Sequence, residues 1–325
     1  MELADTFGRT INYLRLSVTD RCNMRCVYCM PAEGIPLLKH SEVLSYEELL
    51  LIAETAVAAG IEKIRVTGGE PLVRKGIVPF LARLAAIPGL RQLVLTTNGL
   101  HLAAQATSLR QAGVQRLNIS LDSLRPATFA SITRGADLDR VLAGIAAAEQ
   151  AGFPVKINAV VMRGVNDDEL LDFVALTRER QLTVRFIEYM PAIRAANWQD
   201  LVVPGEEILG RIGERYGFDA QEREGLAGPA RTFRVAGAAG TFGIITPVTG
   251  HFCEECNRIR VTSAGRVRSC LFADSSLDLK PYLAGNDRAG LAEALRSVVA
   301  CKPQRHAFAE DEKSYTPFGM AALGG

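Results

Sequence analysis

The chain has 325 residues, 48% of them hydrophobic and 22% charged, with a formal net charge of +1. That length suits one large domain, or a large one with an appendage, and the near-neutral charge argues against bulk binding to nucleic acid or an anionic membrane. No apolar run can span a bilayer and the polar start MELADTFGRTINY holds no secretory core, so the expectation is a cytoplasmic protein, monomer or homodimer.

Asn12 to Val18 alternates as a strand and runs into RCNMRCVYCM, where Cys22, Cys26 and Cys29 are spaced by three and then two residues. Three thiolates in one such loop suit a cubane iron–sulfur cluster that keeps one iron free of protein ligands; a zinc knot needs a fourth ligand from elsewhere. Ser45, with Glu48 three residues on, caps a helix through Ala59 that Gly60 stops. Strands at Lys63–Thr67, Gln92–Thr97, Gln115–Ser120, Val155–Val161 and Thr183–Glu188 alternate with helical stretches such as Leu138–Ala151 and Asp168–Arg180. Short apolar strands joined by crossovers long enough for a helix predict an α/β fold with a parallel sheet. Right-handed crossovers curl that sheet into a partial (β/α)6 TIM-like barrel with chemistry at the C-terminal strand ends.

Polar residues gather at those ends: Thr67-Gly68-Gly69-Glu70-Pro71, Thr96-Thr97-Asn98-Gly99, Ser120 with Asp122, and Glu188-Tyr189-Met190. Meanwhile Arg15, Lys63, Arg65, Lys156 and Arg185 interrupt apolar strands. A charge inside a parallel sheet needs a partner or a cavity. Each alone can snorkel or pair with an acid. All together, with Lys63 and Arg65 on one face, they predict a cavity for a polyanion.

The alternation loosens after Val202, and the Gly-rich stretch Gln221–Ala230 marks a boundary between residues 1–225 and 226–325. The second part is expected to be a smaller α+β domain covering the barrel's open side. Strands at Thr232–Val235 and Thr241–Thr246 precede His251-Phe-Cys253-Glu-Glu-Cys256-Asn-Arg258-Ile-Arg260. A hairpin at Ala264–Gly265, then Cys270, then helices at Leu277–Leu283 and Arg288–Ala300 complete it. Cys253, Cys256 and Cys270 suit a Cys3His zinc site with His251 as well as a second iron–sulfur cluster. Seven cysteines, an odd count, speak against a full disulfide framework. Cys301 reads as a buried or idle thiol, and His101 as a surface or capping residue.

The motifs RLSVTDRCNMRCVYCM, GGEP, TTNG and NISLDS resemble those of radical S-adenosylmethionine enzymes. With CEECNRIR, a further cysteine after thirteen residues and a final Gly-Gly, the chain is similar from Arg15 to Gly325 to the GTP 3′,8-cyclases of molybdenum-cofactor biosynthesis. The resemblance implies two [4Fe-4S] clusters, one on Cys22, Cys26 and Cys29 and one on Cys253, Cys256 and Cys270. It implies S-adenosylmethionine contacts from Tyr28, Gly69, Ser120 and Met190, to which Glu70 adds an acceptor for the methionine ammonium. GTP contacts are implied for Arg15, Arg65, Thr96, Lys156 and the stretch Arg258, Ile259 and Arg260, with Lys63 and Arg185 adding charge.

The implied reaction splits S-adenosylmethionine to a 5′-deoxyadenosyl radical that removes the 3′ hydrogen of GTP. Closure of C3′ on C8, followed by one-electron reduction and protonation of the resulting radical, gives (8S)-3′,8-cyclo-7,8-dihydro-GTP, with Arg258, Arg260, Gly324 and Gly325 expected near the reacting atoms. A low-potential electron donor and a downstream cyclic pyranopterin monophosphate synthase are the implied partners. Two alternatives are weighed. A radical S-adenosylmethionine peptide-modifying enzyme with an auxiliary cluster needs a peptide groove. A zinc-stabilised nucleic-acid-binding protein leaves the first triplet unused and conflicts with the neutral charge.

Overall fold

The computed structural model describes residues 3–190, 197–222, 225–226, 228–250, 252–273, 275–306 and 320. The first half alternates strand and helix: β1 (Tyr13–Ser17), α1 (Tyr46–Ala58), β2 (Lys63–Thr67), α2 (Ile77–Ala85), β3 (Gln92–Thr97), α3 (Ala106–Gln111) and β4 (Arg116–Ser120). Two helices, α4 (Pro126–Thr133) and α5 (Leu138–Gln150), lead to β5 (Val155–Val161), and α6 (Leu170–Glu179) to β6 (Thr183–Glu188). Then follow α7 (Gly205–Gly213), β7 (Phe218–Gln221), β8 (Arg231–Val235), β9 (Thr241–Ile245), β10 (Arg258–Val261), β11 (Arg266–Arg268), β12 (Leu277–Asp278), α8 (Lys280–Ala284) and α9 (Arg288–Ala300).

All these strands join one sheet in the order β12-β11-β10-β1-β2-β3-β4-β5-β6-β9-β8-β7. The six-strand parallel core matches the α/β expectation, and the C-terminal part adds to both of its edges. β10 pairs in parallel with β1 and β9 in parallel with β6, so the parallel run is longer than the spacing predicted. One expected helix needs correction. Leu277 and Asp278 pair with β11, and α8 starts only at Lys280, with Pro281 in its first turn. A proline tolerates that first turn but not a helix interior, so the helix begins there.

Period two sorts the strand residues. Leu14, Leu16, Ile64, Val66, Ile259 and Val261 are fully buried in the core between sheet and helices. Their neighbours Tyr13, Arg15, Lys63, Arg65, Arg258 and Arg260 take the opposite face. Locally, α1 is entered through the expected capping box: Ser45 Oγ accepts from Glu48 N and Glu48 Oε2 accepts from Ser45 N. No helix among the described residues is long and apolar enough to cross a membrane.

Candidate active site

A single cavity inside the sheet is lined by all six triplet cysteines. Cys22, Cys26 and Cys29 lie in the loop beyond the C-terminal end of β1. Cys253 and Cys256 precede β10, and Cys270 follows β11. Because β10 runs parallel to β1, with Tyr13 beside Arg258 and Leu16 beside Val261, the second triplet sits at the N-terminal ends of these strands. The two triplets therefore face each other along the barrel axis. Only the first occupies the rim where chemistry was expected.

The first loop is shaped by backbone. Gly69 N donates to Thr19 O and Glu70 N to Arg21 O, pinning the GGEP turn against the loop that carries Cys22. A Cβ at Gly69 would overlap the Arg21 carbonyl, so the close approach inferred for this glycine is to the cysteine loop itself. Arg134 holds the far side, donating to Arg25 O and Met30 O. Met24 N lies 3.4 Å and Asn98 Nδ2 3.8 Å from Cys22 Sγ. Burial pushes the Cys22 and Cys26 thiols up, so a bound metal must supply the charge that ionises them.

Tyr28, Gly69, Ser120 and Met190 all line the cavity around this loop. The Tyr28 hydroxyl donates to Asp122 at 2.8 Å, and burial pushes Asp122 up to about 6. Glu70 also lines the cavity, yet its carboxylate is engaged internally, accepting from Leu72 N, Thr97 Oγ1 and Asn98 N. It ties β2 to β3, and burial pushes it up to about 7 against those three donors.

Between the triplets lies the cationic lining. Arg15, Arg65, Arg185, Arg258, Arg260 and Thr96 all reach the cavity. Lys63 and Lys156, near the N-terminal ends of β2 and β5, are not among the cavity's lining residues; Lys63 Nζ donates to Leu226 O and lies 4.6 Å from the Tyr13 ring centre. Burial, then the neighbouring cations, pushes both lysines down to about 6 and Arg15 to about 9. Burial also lowers Arg65 and Arg185, each to about 10. Among the described residues no carboxylate forms an ion pair with Arg15, Lys63, Arg65, Lys156 or Arg185.

Buried atoms Arg15 Nε, Arg65 Nε, Arg185 Nε, Thr96 Oγ1, Asn118 Nδ2 and Asn158 Oδ1 also have no hydrogen-bond partner among the described residues. Such a lining is costly unless a polar, negatively charged ligand completes it. Asn118 and Asn158 were overlooked in the sequence, although Asn158 shares the face of Lys156 by period two. Ile259 departs from its neighbours: its side chain is fully buried in the outer core, so only its backbone remains for a ligand.

At the second triplet, burial alone would raise Cys256, but Arg258 and Lys302 outweigh it and bring the thiol down to about 6. Arg258 Nη2 lies 3.7 Å from Cys256 Sγ. Among the described residues no three of His, Cys, Asp and Glu converge closely enough for a single ion. Three thiols suffice for a cubane, whose ligands bind different irons, whereas a tetrahedral zinc site needs a fourth donor. His251, the candidate fourth zinc ligand, and the Gly324–Gly325 pair lie outside the described residues, whereas Met320 lines the cavity. Cys301 is exposed, which rules out the buried alternative, and His101 lies in the turn after β3 and does not line the cavity.

A barrel that carries a Cys-x3-Cys-x2-Cys loop after its first strand is the arrangement of the radical S-adenosylmethionine enzymes, and the Radical SAM superfamily model matches residues 16–177. A second model, Molybdenum Cofactor Synthesis C, matches residues 182–308. The chain belongs to the GTP 3′,8-cyclase family. It is 64% identical to the GTP 3′,8-cyclase of Geobacter sulfurreducens over 326 residues, covering 100% of both. To that of Moorella thermoacetica it is 47% identical, covering 99% of this chain and 100% of the relative. In fold it is similar to Streptococcus suis SuiB bound to S-adenosylmethionine, with a TM-score of 0.58 at 14% identity over 89% of this chain and 69% of that one.

Proposed function

We propose that this chain converts GTP into (8S)-3′,8-cyclo-7,8-dihydro-GTP, a step of molybdenum-cofactor biosynthesis, using one [4Fe-4S] cluster on each cysteine triplet. The observation that carries this reading is the single cavity, lined by both thiol triplets and by the buried guanidiniums of Arg15, Arg65 and Arg185. When bound at the first triplet, the cluster with S-adenosylmethionine supplies the 5′-deoxyadenosyl radical that takes the 3′ hydrogen.

The chain's own residues do the rest. Tyr28, Gly69, Ser120 and Met190 shape the S-adenosylmethionine end, and Glu70 holds that end rigid through β2 and β3. Arg15, Lys63, Arg65, Lys156 and Arg185 neutralise the triphosphate, with Thr96 as a hydroxyl contact. Arg258 and Arg260, with the backbone of Ile259, hold the nucleoside beside the second triplet, so that C3′ and C8 stay aligned and water is excluded. Gly324 and Gly325 complete the site in this reading. A separable supply of electrons at low potential, a downstream synthase that consumes the product, and a reducing cytoplasmic setting complete the proposal. Residues 1–225 then form the radical-generating part, which also supplies the triphosphate's cations, and 226–325 the part that carries the second cluster and holds the nucleoside.

Anaerobic incubation of the reconstituted chain with S-adenosylmethionine, a reductant and GTP tests this directly. GTP-dependent 5′-deoxyadenosine and a cyclised nucleotide are expected in equal amounts. Absence of both would sink the cyclase reading, and turnover with a peptide instead of GTP would favour the peptide-modifying alternative.

A further inference from the structure

Lys302, just past the C-terminal end of α9, is 3% exposed and belongs to no motif. Its ammonium has three protons to place. Two go to main-chain carbonyls, Arg258 O at 3.0 Å and Ser269 O at 2.6 Å. The first carbonyl follows Cys256 by two residues and the second immediately precedes Cys270. Both carbonyls belong to the arms that carry Cys256 and Cys270, so the ammonium lies beside the second triplet. One buried cation therefore ties together two arms that thirteen intervening residues keep apart in sequence. A backbone bond from Lys302 N to Val299 O anchors it to α9.

We infer that Lys302 is a positioning residue of the second triplet: it sets the spacing of the Cys256 and Cys270 arms and raises the reduction potential of the cluster they hold. A nearby buried positive charge favours the more negative, reduced state. Arg9 does a related but separable job, since it reaches the carbonyl of Cys253 and those of Pro303 and Gln304. The inference rests on the cluster assignment proposed above.

The test uses the full chain with Cys22, Cys26 and Cys29 replaced by Ala, so that only the second cluster can be loaded. Iron and sulfide content and an EPR-monitored reductive titration are measured in this parent and in its K302R and K302M derivatives. K302M is expected to shift the midpoint to more negative potential and to lose iron to a chelator about tenfold faster, while K302R keeps most of the parental midpoint. A K302M derivative with the parental midpoint and iron retention overturns the role of Lys302. A parent that takes up no iron and sulfide overturns the cluster assignment itself. Should K302M fail to fold, K302Q replaces it: a negative shift supports the inference and an unchanged midpoint refutes it.

Discussion

Lys63 and Lys156 are ordinary residues placed under unusual pressure. With both pushed down to about 6 by burial and neighbouring cations, they are largely neutral near pH 8. Their folded values lie below the unfolded value of about 10.4. Without a polyanion the unfolded chain therefore binds more protons between these limits, and stability falls as pH drops from about 10 toward 6. A triphosphate reverses that local field and draws the protons back. Calorimetry of GTP binding at pH 8, in buffers of different ionisation enthalpy, should show net proton uptake; binding that moves no protons would contradict the arrangement. Glu70 offers a second check at this scale. Three donors converge on its carboxylate, and a glutamine must turn its amide protons toward at least one of them. E70Q is expected to cost about 1–3 kcal/mol in denaturant melts at pH 8, and a neutral result would mean that the carboxylate is not the clasp described.

At the scale of elements, the expected strands appeared where alternation was long and apolar, as in Lys63–Thr67 and Val155–Val161, because period two and burial then agree. β10 was less legible. Its four residues, RIRV, carry two arginines that read as ligand contacts, and nothing local shows that they pair with β1. Glu188 was equally opaque. It was visible only as a polar residue at a strand end, yet it is fully buried and accepts from Gly205 N, Val248 N, Thr249 N and Thr249 Oγ1. These partners come from segments distant in the chain, which no local pattern encodes. They make Glu188 the clasp between β6 and the loops around α7 and β9. E188A strands several buried donors at once and should lower stability by at least ~3 kcal/mol. Equilibrium unfolding would detect this, and a loss under ~1 kcal/mol would show that water replaces the clasp.

For the whole molecule, the two triplets make separable demands. Cys22→Ala should abolish S-adenosylmethionine cleavage, whereas Cys270→Ala should leave the first cluster loaded but impair GTP turnover. Iron and sulfide analysis is expected to give about eight of each per fully loaded chain; zinc without sulfide would return the second triplet to a structural role. The cysteines were legible because their spacing is local. Lys302 was not, because its part is defined by carbonyls of Arg258 and Ser269 that only the fold brings to it.

The parallel pairing of β10 with β1 also acts as a ruler. One triplet lies beyond the last residue of β1 and the other before the first residue of β10, so the strand's five residues separate them by roughly 16 Å at about 3.3 Å each. That separation is written in main-chain hydrogen bonds, which side-chain substitution leaves standing. A slip of one residue would turn Arg258 and Arg260 outward and Ile259 inward, reversing charge and grease together, so the register that measures the gap is also the one the core enforces. Whatever molecules meet inside this barrel do so over a length fixed before either one arrives.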